Sequence, residues 1–307
     1  MIKVDLITGF LGSGKTTLLK KYAEYLVNTG EKVGILENDY GAVNVDMMLL
    51  SELEKIGCQL ETIAGACDYD CHKRRFKTKL IAMGMSGLSR VIIEPSGIFD
   101  VDEFFDTLRE EPLDRWYEIG SVITVIDPTS LGENSKQSRY LLASQTAGAG
   151  VFVFSKTQLA TQNDIDAKIE QVNSALEEFK SERRVDNVLL KPWDELGGAD
   201  YEKLKNSGYV LSETVKLSPD DESYTSLYFM NTRLSRNEAE EIARKILTDK
   251  NCGDVHRVKG FVNDNGWYEL NATSAQTEIK PLGNGQDIII VIGENLDEKN
   301  INAYFNS

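Results

Sequence analysis

A glycine-rich segment near the amino terminus reads Gly9-Phe10-Leu11-Gly12-Ser13-Gly14-Lys15-Thr16. It follows the apolar run 2–7 and precedes a pattern typical of a helix that reaches Leu26. The spacing G-x-x-x-x-G-K-T between a strand and a helix predicts a phosphate-binding P-loop. Glycines let backbone N–H groups turn towards a phosphate, and the helix amino terminus adds partial positive charge. We therefore expect the chain to bind a nucleoside triphosphate.

The residues of this loop are expected to bind the nucleotide and to take part in its hydrolysis. Lys15 is predicted to reach the β- and γ-phosphates, and Thr16 is predicted to ligate Mg²⁺, so both are assigned catalytic roles. The predicted nucleotide-binding residues of the loop are Gly9, Gly12, Ser13, Gly14, Lys15, Thr16 and Thr17.

Composition and charge narrow the class of protein. The 307 residues are 41% hydrophobic and 27% charged, which is typical of a globular protein of about two domains. The net charge of −15 repels nucleic acid and anionic membranes, so we expect neither as a partner. No apolar run approaches the roughly 20 residues that span a bilayer, and we expect no leader peptide before the first strand. The sequence predicts a cytoplasmic protein.

Apolar runs typical of buried strands alternate with helical patterns as far as residue 190. The predicted strands after the first are 32–36, 59–63, 90–93, 121–126, 151–154 and 187–190, and the predicted helices after the first are 46–55, 71–84, 101–110, 136–147 and 163–180. This alternation predicts an α/β fold, with a mostly parallel sheet covered by helices on both faces. In such sheets ligands bind at the carboxyl ends of the strands.

Acidic residues directly follow two of these strands. Glu94 ends an apolar run at the position where P-loop proteins hold the acid linked to Mg²⁺. Asp39, with Glu37 beside it, follows another strand, where an acid can position Mg²⁺ or the attacking water. Gly97 suits a loop that responds to the γ-phosphate. We predict that Thr16, Asp39 and Glu94 organise Mg²⁺, with Asp39 and Glu94 also catalytic, and that Gly97 contacts nucleotide.

The composition changes between residues 192 and 221, which are polar and rich in Gly, Asp and Ser. The predicted strands beyond it are 227–230, 255–262, 266–270 and 287–292, and the predicted helices are 235–247 and 297–305. This pattern predicts a smaller α+β domain. We therefore expect a P-loop nucleotide-binding domain at 1–200, a linker at 201–221 and a carboxyl-terminal domain at 222–307.

Several segments together match the pattern of one family. The segment 9–19 is near-identical to its P-loop, Asn38-Asp39-Tyr40-Gly41 resembles its N-E-F-G segment, Ile93-Glu94-Pro95-Ser96-Gly97 resembles its E-x-S-G segment, and Arg257-Val258-Lys259-Gly260-Phe261 resembles its R-x-K-G-F segment. On these residues the chain resembles the CobW-like branch of the CobW/HypB/UreG family of P-loop GTPases. The resemblance implies a metallochaperone that hydrolyses GTP with Mg²⁺ and delivers a metal ion to, or helps mature, a client metalloprotein.

The base-recognition segment departs from the N-K-x-D pattern of that family. The matching residues are Ser155-Lys156-Thr157-Gln158. The stem of Lys156 can cover the base, whereas Gln158 offers a neutral amide in place of a carboxylate, which is a weaker acceptor. Ser155 is shorter than the asparagine that braces the loop. We predict that Ser155, Lys156 and Gln158 contact the base, with GTP the favoured nucleotide and ATP the alternative.

Two cysteines lie between the segments around Asp39 and Glu94, where the CobW-like branch carries a C-x-C-C cluster. Cys67 and Cys71 are four residues apart, so a helical turn would place them on one face, and His72 or the more distant Cys58 could supply a third ligand. Thiolates with an imidazole favour Zn²⁺ or Co²⁺. We predict a transition-metal site at Cys67, Cys71 and His72, with Asp68 and Asp70 as alternative ligands for a harder ion.

Other interpretations of the same residues stay open. The protein could instead be an activator driven by ATP or GTP that remodels a metal- or corrinoid-containing enzyme and carries no ion itself. Self-association that depends on nucleotide is a further expectation for this class. The tryptophans Trp116, Trp193 and Trp267 are interpreted as packing residues rather than as a platform for a base.

Overall fold

The computed structural model describes residues 1–38, 50, 52–63, 69–97, 101–130, 135–212, 224–283 and 285–305. Its contacts divide the chain into two compact units, Met1–Leu217 and Ser218–Ser307. Among the described residues, no helix combines the length and apolar character needed to cross a membrane.

In the described part of the first unit, seven strands form one sheet. They are β1 (Ile2–Thr8), β2 (Val33–Asn38), β3 (Gln59–Ile63), β4 (Arg90–Pro95), β5 (Tyr117–Ile126), β6 (Val151–Phe154) and β7 (Val188–Leu190). Their order is β3-β2-β4-β1-β5-β6-β7, and every recorded pairing is parallel. The carboxyl ends of all these strands therefore lie at one edge of the sheet, as the sequence predicts.

Helices cover both faces of this sheet, so the predicted α/β fold is confirmed. The helices are α1 (Lys15–Asn28), α2 (Tyr69–Gly84), α3 (Val101–Leu108), α4 (Leu113–Trp116), α5 (Lys136–Ala147), α6 (Gln162–Glu178) and α7 (Gly198–Lys205). One apolar cluster contains Leu18 and Leu19 of α1, and a second contains Phe76 of α2 and Phe104 of α3. Residues 52–55 are helical, and the rest of the predicted helix 46–55 lies outside the described residues, apart from Leu50, which is also helical.

Helix α7 lies where composition predicts only the end of a domain and the start of a linker. Leu204 is fully buried in the cluster that contains Leu18, and the ring of Tyr201 stacks on Tyr25 of α1 at 5.0 Å between centroids. The Ser121 hydroxyl of β5 donates a hydrogen bond to the carbonyl of Lys205 at 3.0 Å. The segment that begins the predicted linker is thus part of the packing of the first unit. The limits 1–200, 201–221 and 222–307 remain a prediction.

The second unit contains an antiparallel sheet of five strands with two helices among its described residues, as expected for an α+β domain. The strands are β8 (Tyr224–Met230), β9 (Asp254–Asn263), β10 (Trp267–Thr273), β11 (Thr277–Leu282) and β12 (Ile288–Glu294), in the order β11-β10-β9-β12-β8, and the helices are α8 (Arg236–Thr248) and α9 (Glu298–Phe305). Ser235 caps α8 and accepts a hydrogen bond from the Glu238 amide at 3.3 Å, which completes a capping box.

Strand β11 is absent from the sequence-based expectation. It lies at the edge of the sheet, and it contains Lys280 and Pro281. Charged residues and proline are tolerated at sheet edges, where they reduce pairing with other chains. Those same residues hide the alternating apolar pattern that would have indicated a strand.

Candidate nucleotide-binding site

The P-loop connects β1 to α1 at the carboxyl edge of the sheet. Gly14 caps α1 in the left-handed region, with φ of +98°. Gly9 has φ of +140°, and a β-carbon added there would lie 2.2 Å from the carbonyl oxygen of Val125. Only glycine fits these two positions without strain. The loop is therefore held close to β5, with its turn directed into the amino terminus of α1.

Lys15 lies inside the curve of this loop. Its side chain is 6% exposed, and its Nζ donates a hydrogen bond to the carbonyl of Gly9 at 2.9 Å and another to Phe10 at 3.4 Å. The hydroxyl of Ser13 is also buried, and it makes no hydrogen bond with any described residue. A positive charge and an unmatched hydroxyl within a ring of backbone groups fit a phosphate. The loop is thus built to receive the phosphates of a nucleotide.

Thr16 and Glu94, which are 78 positions apart in sequence, meet at this edge. The Thr16 hydroxyl donates a hydrogen bond to Oε1 of Glu94 at 2.7 Å, and the Glu94 side chain is buried. Strand β4 carries Glu94 beside β1, with Leu6 paired to Ile93. The structure therefore brings together two of the three residues predicted to organise Mg²⁺.

A second carboxylate lies beside Glu94. Glu37 of β2 is paired with Glu94 of β4 and is also buried. Paired residues on neighbouring strands point to the same face of a sheet, so the two carboxylates are neighbours. Carboxylate and hydroxyl oxygens are the donors that Mg²⁺ prefers, and the residues present fit a divalent cation. The sequence indicated Glu37 only as a neighbour of Asp39, because its pairing with Glu94 depends on the order of the strands.

The other residues predicted to bind Mg²⁺ or a transition metal lie partly outside the described residues. Asp39 and Cys67 lie outside the described residues. Cys71 and His72 lie in the first turn of α2. The predicted transition-metal site remains a prediction.

Gly97 packs directly against the P-loop, as expected for a loop that contacts nucleotide. A β-carbon added to Gly97 would lie 2.7 Å from the amide nitrogen of Leu11. The Gly97 carbonyl accepts a hydrogen bond from Nε2 of Gln145 at 2.9 Å, and the Val101 amide donates another to the Ser144 hydroxyl at 3.1 Å. Helix α5 therefore holds the chain on both sides of residues 98–100.

Gln145 is a site residue that sequence reasoning missed. It is 1% exposed, and its own carbonyl accepts a hydrogen bond from the Thr124 hydroxyl of β5 at 2.7 Å. The one signal in the sequence is a glutamine among small and apolar residues in the stretch Leu141-Leu142-Ala143-Ser144-Gln145. Nothing in that stretch shows that the side chain reaches Gly97, because the contact depends on how α5 packs.

Replacing Gln145 with leucine is expected to weaken the binding of non-hydrolysable GTP about tenfold while changing GDP binding less than about twofold, because one such hydrogen bond is worth about 1–1.5 kcal/mol. Only the γ-phosphate is expected to reach the loop that Gln145 holds. Isothermal titration of both nucleotides measures the ratio. The control is Gln137→Leu, which alters the same helix away from Gly97. Equal losses for GDP and the GTP analogue would contradict the predicted role.

The predicted base-contacting residues follow β6 at the same edge. Ser155 is buried, and its β-carbon lies 3.8 Å from the position of a β-carbon on Gly14. Lys156 adopts φ of +51°, and its Nζ makes an ion pair with Oδ2 of Asp127 at 2.6 Å. Gln158 is exposed in the turn that follows. Ser155 therefore lies beside the P-loop and Lys156 is held by Asp127, whereas the Gln158 side chain is exposed to solvent.

The chain is similar to several known proteins. Residues 3–185 match the model of the CobW/HypB/UreG nucleotide-binding domain. The chain is 29% identical over 162 residues to the zinc chaperone YeiR of Escherichia coli strain K12. The aligned region covers 52% of this chain and 48% of that protein. It is 27% identical over 224 residues to the zinc chaperone YjiA of the same strain, which covers 70% of this chain and 64% of that protein.

A solved structure of Zn(II)-bound YjiA GTPase from E. coli aligns with 99% of this chain and 98% of its own, with 18% identity and a TM-score of 0.42. The chain spans about half to two thirds of the length of the curated relatives it matches. The family model covers more than half of the chain and contains the P-loop, Glu94 and the Ser155–Lys156 segment. The chain belongs to the CobW/HypB/UreG family through its nucleotide-binding domain.

Proposed function

We propose that this protein is a Mg²⁺-dependent nucleotide hydrolase, with GTP its favoured substrate, that couples hydrolysis to the delivery of a metal ion to a client metalloprotein. The observation that carries the proposal is the 2.7 Å hydrogen bond between Thr16 and Glu94 at the end of a P-loop that buries Lys15. A relative described as a zinc chaperone, YjiA, is also described as a GTPase, which supports the coupling of the two activities.

The roles of the residues follow from their positions. Lys15 and the amino terminus of α1 would stabilise negative charge on the phosphates, and Gly97 would contact the γ-phosphate. Mg²⁺ would be held by Thr16 and Glu94, together with Asp39, and when bound it would neutralise charge on the β- and γ-phosphates. Glu94 and Asp39 would also orient the attacking water. Because the P-loop excludes solvent around Lys15, the charge of this lysine acts in a medium of low dielectric constant.

The cargo is proposed to be Zn²⁺ or Co²⁺ held by Cys67, Cys71 and His72. Helix α2 begins at Tyr69, so Cys71 and His72 lie in its first turn. The partial positive charge at a helix amino terminus favours the thiolate form, which is the form that binds metal. Each nucleotide state would then set the affinity of this segment for the ion. The client is a metalloprotein, encountered in the cytoplasm, and self-association that depends on nucleotide is part of the proposal.

The proposal of metal delivery is tested by titrating Zn²⁺ and Co²⁺ into reduced protein, with and without non-hydrolysable GTP. Near-stoichiometric binding is expected, lost in the Cys67→Ser/Cys71→Ser variant and altered by nucleotide. The matched control is Cys58→Ala/Cys252→Ala. Both of these cysteines are buried, and burial raises the pKa of each thiol to about 11, so they stay protonated and are poor ligands.

The titration also separates the proposal from its alternative. Binding that is indifferent to Cys67 and Cys71 would contradict metal delivery. Mg²⁺-dependent hydrolysis in the same preparation would then indicate an activator that remodels a metalloenzyme without carrying the ion. Hydrolysis of ATP as fast as GTP would contradict the preference for GTP but would leave the proposal of metal delivery unchanged.

A further inference from the structure

Trp193 lies against the P-loop. It opens the 3-10 turn Trp193–Glu195, which follows β7 at the carboxyl edge of the sheet. A β-carbon added to Gly14 would lie 3.3 Å from Cη2 and 3.5 Å from Cζ2 of the indole, and 3.8 Å from the β-carbon of Ser155. The indole therefore contacts the cap of α1 next to the segment predicted to hold the base.

The surroundings of Trp193 fix its ring in place. The indole is half-buried and packs on the apolar cluster that includes Leu18. The next residue, Asp194, makes an ion pair with Lys21 of α1 at 2.9 Å, and the hydrogen bond from this contact raises the pKa of Lys21. A ring held by packing on this cluster loses little entropy when a ligand stacks on it.

The Trp193 side chain carries one polar group, the indole N–H. Nε1 of Trp193 is buried, and it forms no hydrogen bond with any described residue. Buried tryptophans usually pair this group. Because this N–H lies in the plane of the ring, a base stacked on the ring face would not accept its hydrogen bond, and what points to a ligand here is the position of the ring beside Gly14.

The residues in the positions of the N-K-x-D pattern present no carboxylate to a base. The Ser155 hydroxyl donates a hydrogen bond to the carbonyl of Ile126 at 3.3 Å, Lys156 is paired with Asp127, and Gln158 is an exposed amide. Trp193 is the large planar group beside them.

We propose that Trp193 is the main base-contacting residue of this site and that it binds the purine by stacking. This inference rests on the proposed function, since it concerns the base of the nucleotide held by the P-loop. Because every base has a π-face, stacking on an aromatic ring discriminates little between bases. The protein should therefore bind GTP and ATP within about tenfold of each other, unlike a site that reads guanine with a carboxylate.

The test compares the dissociation constants of non-hydrolysable GTP, non-hydrolysable ATP and inorganic tripolyphosphate, all with Mg²⁺. The variants are Trp193→Ala and Trp193→Phe, with Trp116→Phe as the control. Trp193→Ala is expected to weaken both nucleotides by about tenfold or more, to a similar extent, and to leave tripolyphosphate unchanged, since stacking is worth about 1–3 kcal/mol per base. Trp193→Phe should restore most of the loss.

Three results would overturn the inference alone. They are unchanged nucleotide binding in Trp193→Ala, an equal loss of tripolyphosphate binding, which would indicate support of the loop rather than contact with the base, and wild-type selectivity for GTP above about a hundredfold, which stacking does not supply. Failure of the wild-type protein to bind any of the three ligands would overturn the proposed function and this inference with it.

Discussion

Replacing Lys15 with alanine is expected to abolish nucleotide hydrolysis, with kcat lower by about a hundredfold or more, because a preorganised charge at developing negative charge is worth at least that much. The lysine is held inside the P-loop by the carbonyls of Gly9 and Phe10. Its charge is already in place before nucleotide binds, so little reorganisation is needed during the reaction. Phosphate release at saturating nucleotide and Mg²⁺ measures kcat.

The control for this variant is Lys20→Ala, which removes a half-exposed lysine from the same helix. It should hydrolyse nucleotide as fast as the wild type. Thermal unfolding of both variants separates loss of catalysis from loss of structure, since Lys15 is buried and its stem contributes packing. Turnover at the wild-type rate in Lys15→Ala would show that the segment 9–16 is not the phosphate site.

Replacing Asp5 with alanine is expected to lower the free energy of unfolding of the first unit by about 3–5 kcal/mol, because it leaves a buried charge without its partner. Asp5 is fully buried in β1. Its carboxylate accepts hydrogen bonds from Nη1 of Arg90 at 2.7 and 2.6 Å, from the Tyr22 hydroxyl at 2.8 Å and from the Ser121 amide at 2.9 Å. Removal of this carboxylate therefore leaves hydrogen-bond donors on α1, β4 and β5 without their acceptor.

Strand β1 also provides a matched control, an exposed ion pair to its other neighbour. Lys3 of β1 makes an ion pair with Glu118 of β5 at 2.8 Å, but their side chains are 42% and 52% exposed. Lys3→Ala should cost less than about 1 kcal/mol, as exposed ion pairs usually do. Urea unfolding followed by circular dichroism compares the variants. The double variant Asp5→Leu/Arg90→Met should be milder than Asp5→Ala, and a loss in Asp5→Ala no larger than in Lys3→Ala would contradict the prediction.

The sequence predicts the site where its geometry is local and misses it where the geometry depends on packing. The P-loop is a continuous run of eight residues, so the spacing of its glycines, lysine and threonine is sufficient to predict it from the sequence. Glu94 could be assigned because strand ends share an edge, although its hydrogen bond with Thr16 also requires β4 to lie beside β1. Gln145 reaches Gly97 only through the position of α5, which no periodic pattern encodes.

Trp193 and α7 show a second limit of sequence-based reasoning. An aromatic residue in a globular protein is most often a packing residue. Trp193 does pack on the core, so this general expectation predicted one of its two contacts. Its contact with Gly14 depends on the loop after β7, which lies at the far end of the sheet order. Helix α7 was missed because it is short and polar, with one buried apolar residue, Leu204, to indicate its inner face.

Helix α7 has a practical consequence for any attempt to isolate the nucleotide-binding half. A polypeptide cut at residue 200 would lack Leu204 and the ring of Tyr201, and water would then reach the apolar surface of α1 that they cover. Uncovered apolar surface of this kind promotes aggregation. The chain also returns to the sheet at Gly208, whose carbonyl accepts a hydrogen bond from the Val122 amide at 2.8 Å. A fragment that ends after Val210 would keep these contacts and stay in solution where the shorter one would precipitate.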